Sequence, residues 1–104
     1  MSKLNTVIAP TTSAVTTHGV VDGSDYEWVD LVAYGLAGSE ECDIFIKTPQ
    51  GYVAAPNLNQ TAAAKLTTTI TTVRLEGGLE YGVTKDATVA ATGIYASVGT
   101  TRLR

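Results

Sequence analysis

Apolar and polar residues alternate along this chain in short runs, each closed by small turn-forming residues. Between Glu27 and Tyr34, the side chains of Val29, Leu31 and Ala33 fall on one face of an extended strand, and Trp28, Asp30, Val32 and Tyr34 on the other. Gly-Leu-Ala-Gly follows. In the next run, Cys42, Ile44 and Ile46 form the inward set, with Asp43, Phe45 and Lys47 outward. Thr48-Pro49-Gln50-Gly51 has proline second and glycine fourth, which matches a type I turn. Tyr52-Val53-Ala54 then starts a return strand that Pro56 ends.

The second half continues this rhythm. Residues 66–75 are nearly all β-branched, with Ile70 out of phase with Val73 and Leu75, so a bulge or burial on both faces is expected. Glu76-Gly77-Gly78 predicts a tight hairpin into a strand whose Leu79, Tyr81 and Val83 share a face. Lys85-Asp86 reads as a turn, and Thr88–Ala91 with Ile94–Val98 as closing strands. Residues 57–65 read as a loop with at most one helical turn over 61–65, too short to stand alone. Asp22-Gly23-Ser24-Asp25 has turn chemistry.

Residues 1–19 are rich in threonine and read as an extended N-terminal arm with one or two short strands, near 4–8 and 14–21. Pro10 cannot donate to a sheet ladder, so no central strand is expected there. The pattern predicts an all-β fold over residues 20–98: a single small β-sandwich of about eight short antiparallel strands, of jelly-roll or Greek-key type. Residues 99–104 are the expected C-terminal tail.

Composition sharpens this picture. One domain is the natural count for 104 residues. Only 16% of residues are charged, below the usual quarter or so, and threonine is the main polar residue instead. Such a surface repels neighbouring subunits less. The net charge of −3 and scattered basic residues argue against nucleic acid. No apolar run approaches the ~20 residues of a membrane helix, and no signal-peptide stretch is visible, so the chain reads as soluble and made in the cytoplasm. Cys42 has no partner for an intramolecular disulfide and reads as a buried small hydrophobe.

The inventory for chemistry is thin. His18 is the sole histidine and has no cysteine or carboxylate nearby at ligand spacing, so it reads as solvent-facing. Asp22, Ser24, Asp25 and Glu27 lack the spacing of a calcium loop. Glu40 and Glu41 are adjacent, which in a strand points them apart. The glycines match no phosphate-binding loop. No catalytic, cofactor-binding or metal-binding residue is therefore expected, and the chain does not read as an enzyme. A carbohydrate-binding module would require several aromatics with amide or acid side chains on one exposed face. The aromatics sit at strand spacing, with Phe45 placed outward between Asp43 and Lys47.

The run Tyr-Gly-Leu-Ala-Gly-Ser-Glu-Glu-Cys-Asp-Ile-Phe-Ile-Lys-Thr-Pro-Gln-Gly, from Tyr34 to Gly51, resembles small virion proteins of tailed bacteriophages. The later Leu-Thr-Thr-Thr-Ile and Gly-Gly-Leu-Glu-Tyr-Gly-Val-Thr-Lys-Asp-Ala-Thr stretches, with Gly-Ile-Tyr-Ala, continue the likeness. It lies in the texture of turns and strands and contains no diagnostic motif. The resemblance implies a capsid decoration, or cement, protein: a β-sandwich on the capsid exterior that ties major capsid protein subunits together, as a homodimer or homotrimer. A tail, baseplate or fibre-attachment subunit is the alternative, and a carbohydrate-binding module a further one. Under this reading, capsid or subunit contacts would come from Leu4, Val7, Ile8, Pro10 and Val15 in the arm, from Phe45, and from Arg102 and Arg104 in the tail.

Overall fold

The computed structural model describes residues 4–56 and 63–101. Among these, nine strands form and no helix: β1 (Asn5–Thr11), β2 (Val15–Asp22), β3 (Tyr26–Tyr34), β4 (Cys42–Thr48), β5 (Gly51–Ala54), β6 (Lys65–Leu66), β7 (Thr72–Glu76), β8 (Glu80–Lys85) and β9 (Thr92–Thr101). They build two antiparallel sheets, the first ordered β1-β9-β3-β7 and the second β2-β8-β4-β5. Short β6 pairs with β4 at Cys42 and Asp43, beyond the stretch that β5 occupies. The protein is an all-β sandwich.

With β6 set aside, the pairing is nested. β4 pairs with β5, β3 with β7, β2 with β8, and β1 with β9. This is one long antiparallel hairpin folded over into two sheets, the jelly-roll arrangement. The alternation predicted for β3 and β4 decides which side of each sheet is dry. Val29, Leu31 and Ala33 point inward and meet Ile44, Leu66, Leu75, Val83 and Ile94 in one core, all at most 3% exposed. Full burial of each of the valine, leucine and isoleucine side chains contributes about 1.5–3 kcal/mol. Cys42 lies among them, fully buried.

The stretch expected as an arm supplies one edge strand to each sheet, and the boundary drawn at residue 19 falls inside β2. Ile8, only 6% exposed, ties β1 to the core. Pro10 sits where the β1–β9 register shifts, between Ile8 and Thr11, on an outermost strand that tolerates a missing N–H donor.

Four other expectations change. Residues 66–75 are two strands in different sheets, because the chain leaves the second sheet at Leu66, turns through residues 67–70 and joins the first as β7. The phase change at Ile70 marks that crossing. The glycine pair is a crossing too, not a hairpin, since β7 and β8 lie in different sheets. The Gly77 and Gly78 N–H groups donate to the Glu27 and Gly23 carbonyls, so the turn is tied to the β2–β3 connection. A Cβ on Gly77 would collide with the Tyr26 carbonyl. Residues 88–91 form a loop, in which the Thr88 hydroxyl is committed to the Ala90 carbonyl and the Lys85 ammonium. Finally, β9 runs to Thr101, so part of the expected tail is strand. The helical turn expected over 61–65 falls partly outside the described residues. Its remainder bridges Ala63 to Pro56 and enters β6.

Candidate functional site

The outer face of the second sheet gathers three rings from three strands. Outward parity on β4 places Phe45 there, β2 contributes His18, and β5 contributes Tyr52, whose neighbour across the ladder is Lys47. The His18 and Tyr52 rings stack in parallel, with centroids 3.7 Å apart and planes 8° from each other. Phe45 meets His18 edge-on at 4.8 Å and 82°. Such pairs contribute about 0.5–1.5 kcal/mol beyond their area.

Glycine makes the stack possible. Gly82 lies on β8 directly across from Phe45 and faces outward. A Cβ there would lie 2.5 Å from Tyr52 Cε1 and 3.0 Å from His18 Cβ, so the missing side chain leaves the space the rings use. Beside the rings runs an open groove of about 610 Å³, lined also by Thr16, Thr84, Asp43 and Asp86. That volume lies within the ~300–1,000 Å³ of small-molecule sites.

The charges around this groove are mostly committed. Lys65 bonds Glu41 at 3.1 Å and reaches Asp43 at 3.7 Å. The hydrogen bond it donates to Glu41 is the main reason its ammonium is held above the usual lysine range. Lys85 is 3% exposed, and its Nζ donates to the Ser13 carbonyl at 2.8 Å, the Asp86 carbonyl at 2.9 Å and the Thr88 hydroxyl at 3.2 Å. Its positive charge thus points into the fold.

The first sheet has a different outer face. Arg74 of β7 grips Asp30 of β3 through two hydrogen bonds, at 2.8 and 3.0 Å, and lies 4.6 Å over the Trp28 ring. The Asp30 hydrogen bond raises the Arg74 guanidinium further above its ordinary range. Tyr34 projects beyond, 78% exposed. Elsewhere, Asp22 accepts from the Ser24 N–H and hydroxyl, which lowers its carboxyl below the ordinary range and fixes the turn read from the sequence. Among the described residues no group of three or more His, Cys, Asp or Glu is placed to hold a metal ion.

The residues expected to make contacts are scattered. Leu4, 54% exposed, and Pro10 lie on the surface at the β1 edge. Ile8 is a core residue and cannot serve as an outer contact, while Val7 and Val15 pack partly against the core. Val15 also lines the groove. Phe45 is half-buried, and its strand is paired on both sides. Arg102 and Arg104 lie outside the described residues. Sequence reasoning missed His18 and Tyr52 as partners of Phe45. Their outward parity was readable, but the pairing that makes their strands neighbours was not.

No protein-family model and no curated protein matches the chain. Among solved structures, the fold is similar to that of the SPBc2 prophage-derived protein YomS, with a TM-score of 0.71 and 12% sequence identity. The likeness covers 94% of this chain and 92% of that one. The nucleoplasmin-like N-terminal domain of Drosophila FKBP39 gives a TM-score of 0.40 at 7% identity, covering 100% of this chain and 95% of that one. At these identities the comparison establishes a shared fold with YomS.

Proposed function

We propose that this chain is a structural subunit of a bacteriophage particle, and that it decorates the outer face of the capsid by binding neighbouring major capsid subunits. The observation that carries the reading is the likeness to a prophage-derived protein along nearly the whole of both chains. Jelly rolls are common among viral capsid components, which is an analogy of fold rather than of site. The low charge suits close packing beside other subunits. Repetition on a lattice then turns modest single contacts into strong retention. The chain would be made in the host cytoplasm and end on the particle exterior, as a dimer or trimer.

Sedimentation of the purified protein with empty capsids of the same phage tests this. The expected result is saturable co-sedimentation and a higher melting temperature for decorated shells. Deleting residues 1–17 is not a clean test, because β1 brings Ile8 to the core and pairs with β9. Leu4→Asp changes only an exposed position at that edge and is expected to lower occupancy. Protein left wholly in the supernatant with capsids, but bound to purified tails, would replace this reading with a tail or baseplate role.

A further inference from the structure

A carbohydrate site requires several aromatics with amide or acid side chains on one exposed face. The second sheet meets this requirement. We infer that the groove beside His18, Phe45 and Tyr52 binds a neutral carbohydrate, with Asp43 and Asp86 accepting hydrogen bonds from its hydroxyls. This goes beyond the structural role and holds wherever the chain sits in a particle.

The chemistry of the lining selects the ligand class. A pyranose ring has an apolar face of C–H groups and a rim of hydroxyls. Aromatic rings match the first, and carboxylates match the second through short charge-assisted hydrogen bonds. Thr16 and Thr84 add hydroxyls that can donate or accept. An anionic ligand fits poorly. Asp43 and Asp86 line the groove; Lys85 lines it too, but its ammonium is committed to Ser13, Asp86 and Thr88, and the nearby Lys65 ammonium to Glu41 and Asp43. A small cation fits poorly as well, because His18 and Tyr52 spend one face each on the other. Rings so joined form a slab rather than a box around a charge. The groove is open rather than enclosed, which suits a sugar lying along it.

The test is a titration of the full-length protein, followed by amide NMR, with methyl glucoside, methyl galactoside and N-acetylglucosamine in turn, and with tetramethylammonium as a separate arm. At least one sugar is expected to shift signals of β2, β4, β5 and β8 that face the groove. Asp43→Asn, nearly the same shape, is expected to weaken that sugar at least fivefold, and Tyr52→Ala at least tenfold. Tyr34→Ala, on the opposite sheet, is expected to leave binding unchanged. The amide spectrum itself reports whether each variant is folded, and Asp43→Asn serves if Tyr52→Ala is not. Shifts with none of the sugars, shifts confined to the first sheet, or saturation by tetramethylammonium alone would each overturn the inference.

Discussion

The ammonium of Lys85 donates a 2.8 Å hydrogen bond to the backbone carbonyl of Ser13, joining the end of β8 to the turn between β1 and β2. The same Nζ reaches Thr88, so one buried charge holds two loops at one end of the sandwich. Lys85→Met keeps the stem and removes the donor. It is expected to cost about 2–3 kcal/mol, in line with hydrogen bonds to charged groups, and to lower the melting temperature by roughly 10 °C or more. Urea denaturation checks this, and a loss under about 1 kcal/mol would show the clamp to be dispensable.

Lys65 makes the opposite case. Its bond to Glu41 is also within hydrogen-bond distance, at 3.1 Å, but both side chains are at least 40% exposed. Lys65→Gln is therefore expected to change stability by less than ~0.5 kcal/mol. Measured side by side, the two lysines should separate burial from mere proximity.

Cys42 gives a prediction in pH. Burial is the main cause that pushes its thiol from an ordinary 9.0 up to about 11, with Lys85 opposing. The folded protein holds this proton to higher pH than the unfolded chain does. The stability it contributes is intact below pH 9 and is lost as pH rises through about 11. Tyr81, also raised mainly by burial, adds in the same direction. Urea midpoints are thus expected to fall over that window, and less steeply in Cys42→Ala. At neutral pH a thiol reagent should label Cys42 only as fast as the protein unfolds. Rapid labelling of the native protein would contradict its burial.

Gly82→Ala probes the ring stack. The added methyl must displace Tyr52, because its Cβ would lie 2.5 Å from that ring. A cost of about 1–3 kcal/mol is expected for this overpacking. The ring protons of His18, the sole histidine, should lose the ring-current shift that stacking on Tyr52 imposes. An unchanged histidine spectrum would mean that the stack does not depend on the glycine.

Faces were legible in the sequence where period 2 ran unbroken, as in Val29-Leu31-Ala33 and Cys42-Ile44, because a sheet with one dry side enforces that alternation. Sheet partners were less legible. The choice of β2 as the neighbour of β8 depends on contacts between distant segments, and the Gly77-Gly78 turn reads the same for a hairpin as for a crossing. Lys85 shows a signal present but outweighed: it shares the inward phase of Tyr81 and Val83, yet its charge suggested a turn. The candidate groove follows the same rule. Phe45 was readable as outward, whereas its meeting with His18 and Tyr52 required the strand order.

The nested pairing also dictates an order of assembly. Of the four nested pairs, only β4 and β5 are also neighbours in the chain, so their hairpin can form first and at little entropic cost. Each later layer closes a longer excursion, until Asn5 meets Ala96 across nearly the whole chain. On the ribosome, β1 must wait for β9 to emerge before its ladder can form. Pairing so distant in sequence slows folding, and the interval before β9 arrives is when a nascent chain can exchange strands with its neighbours.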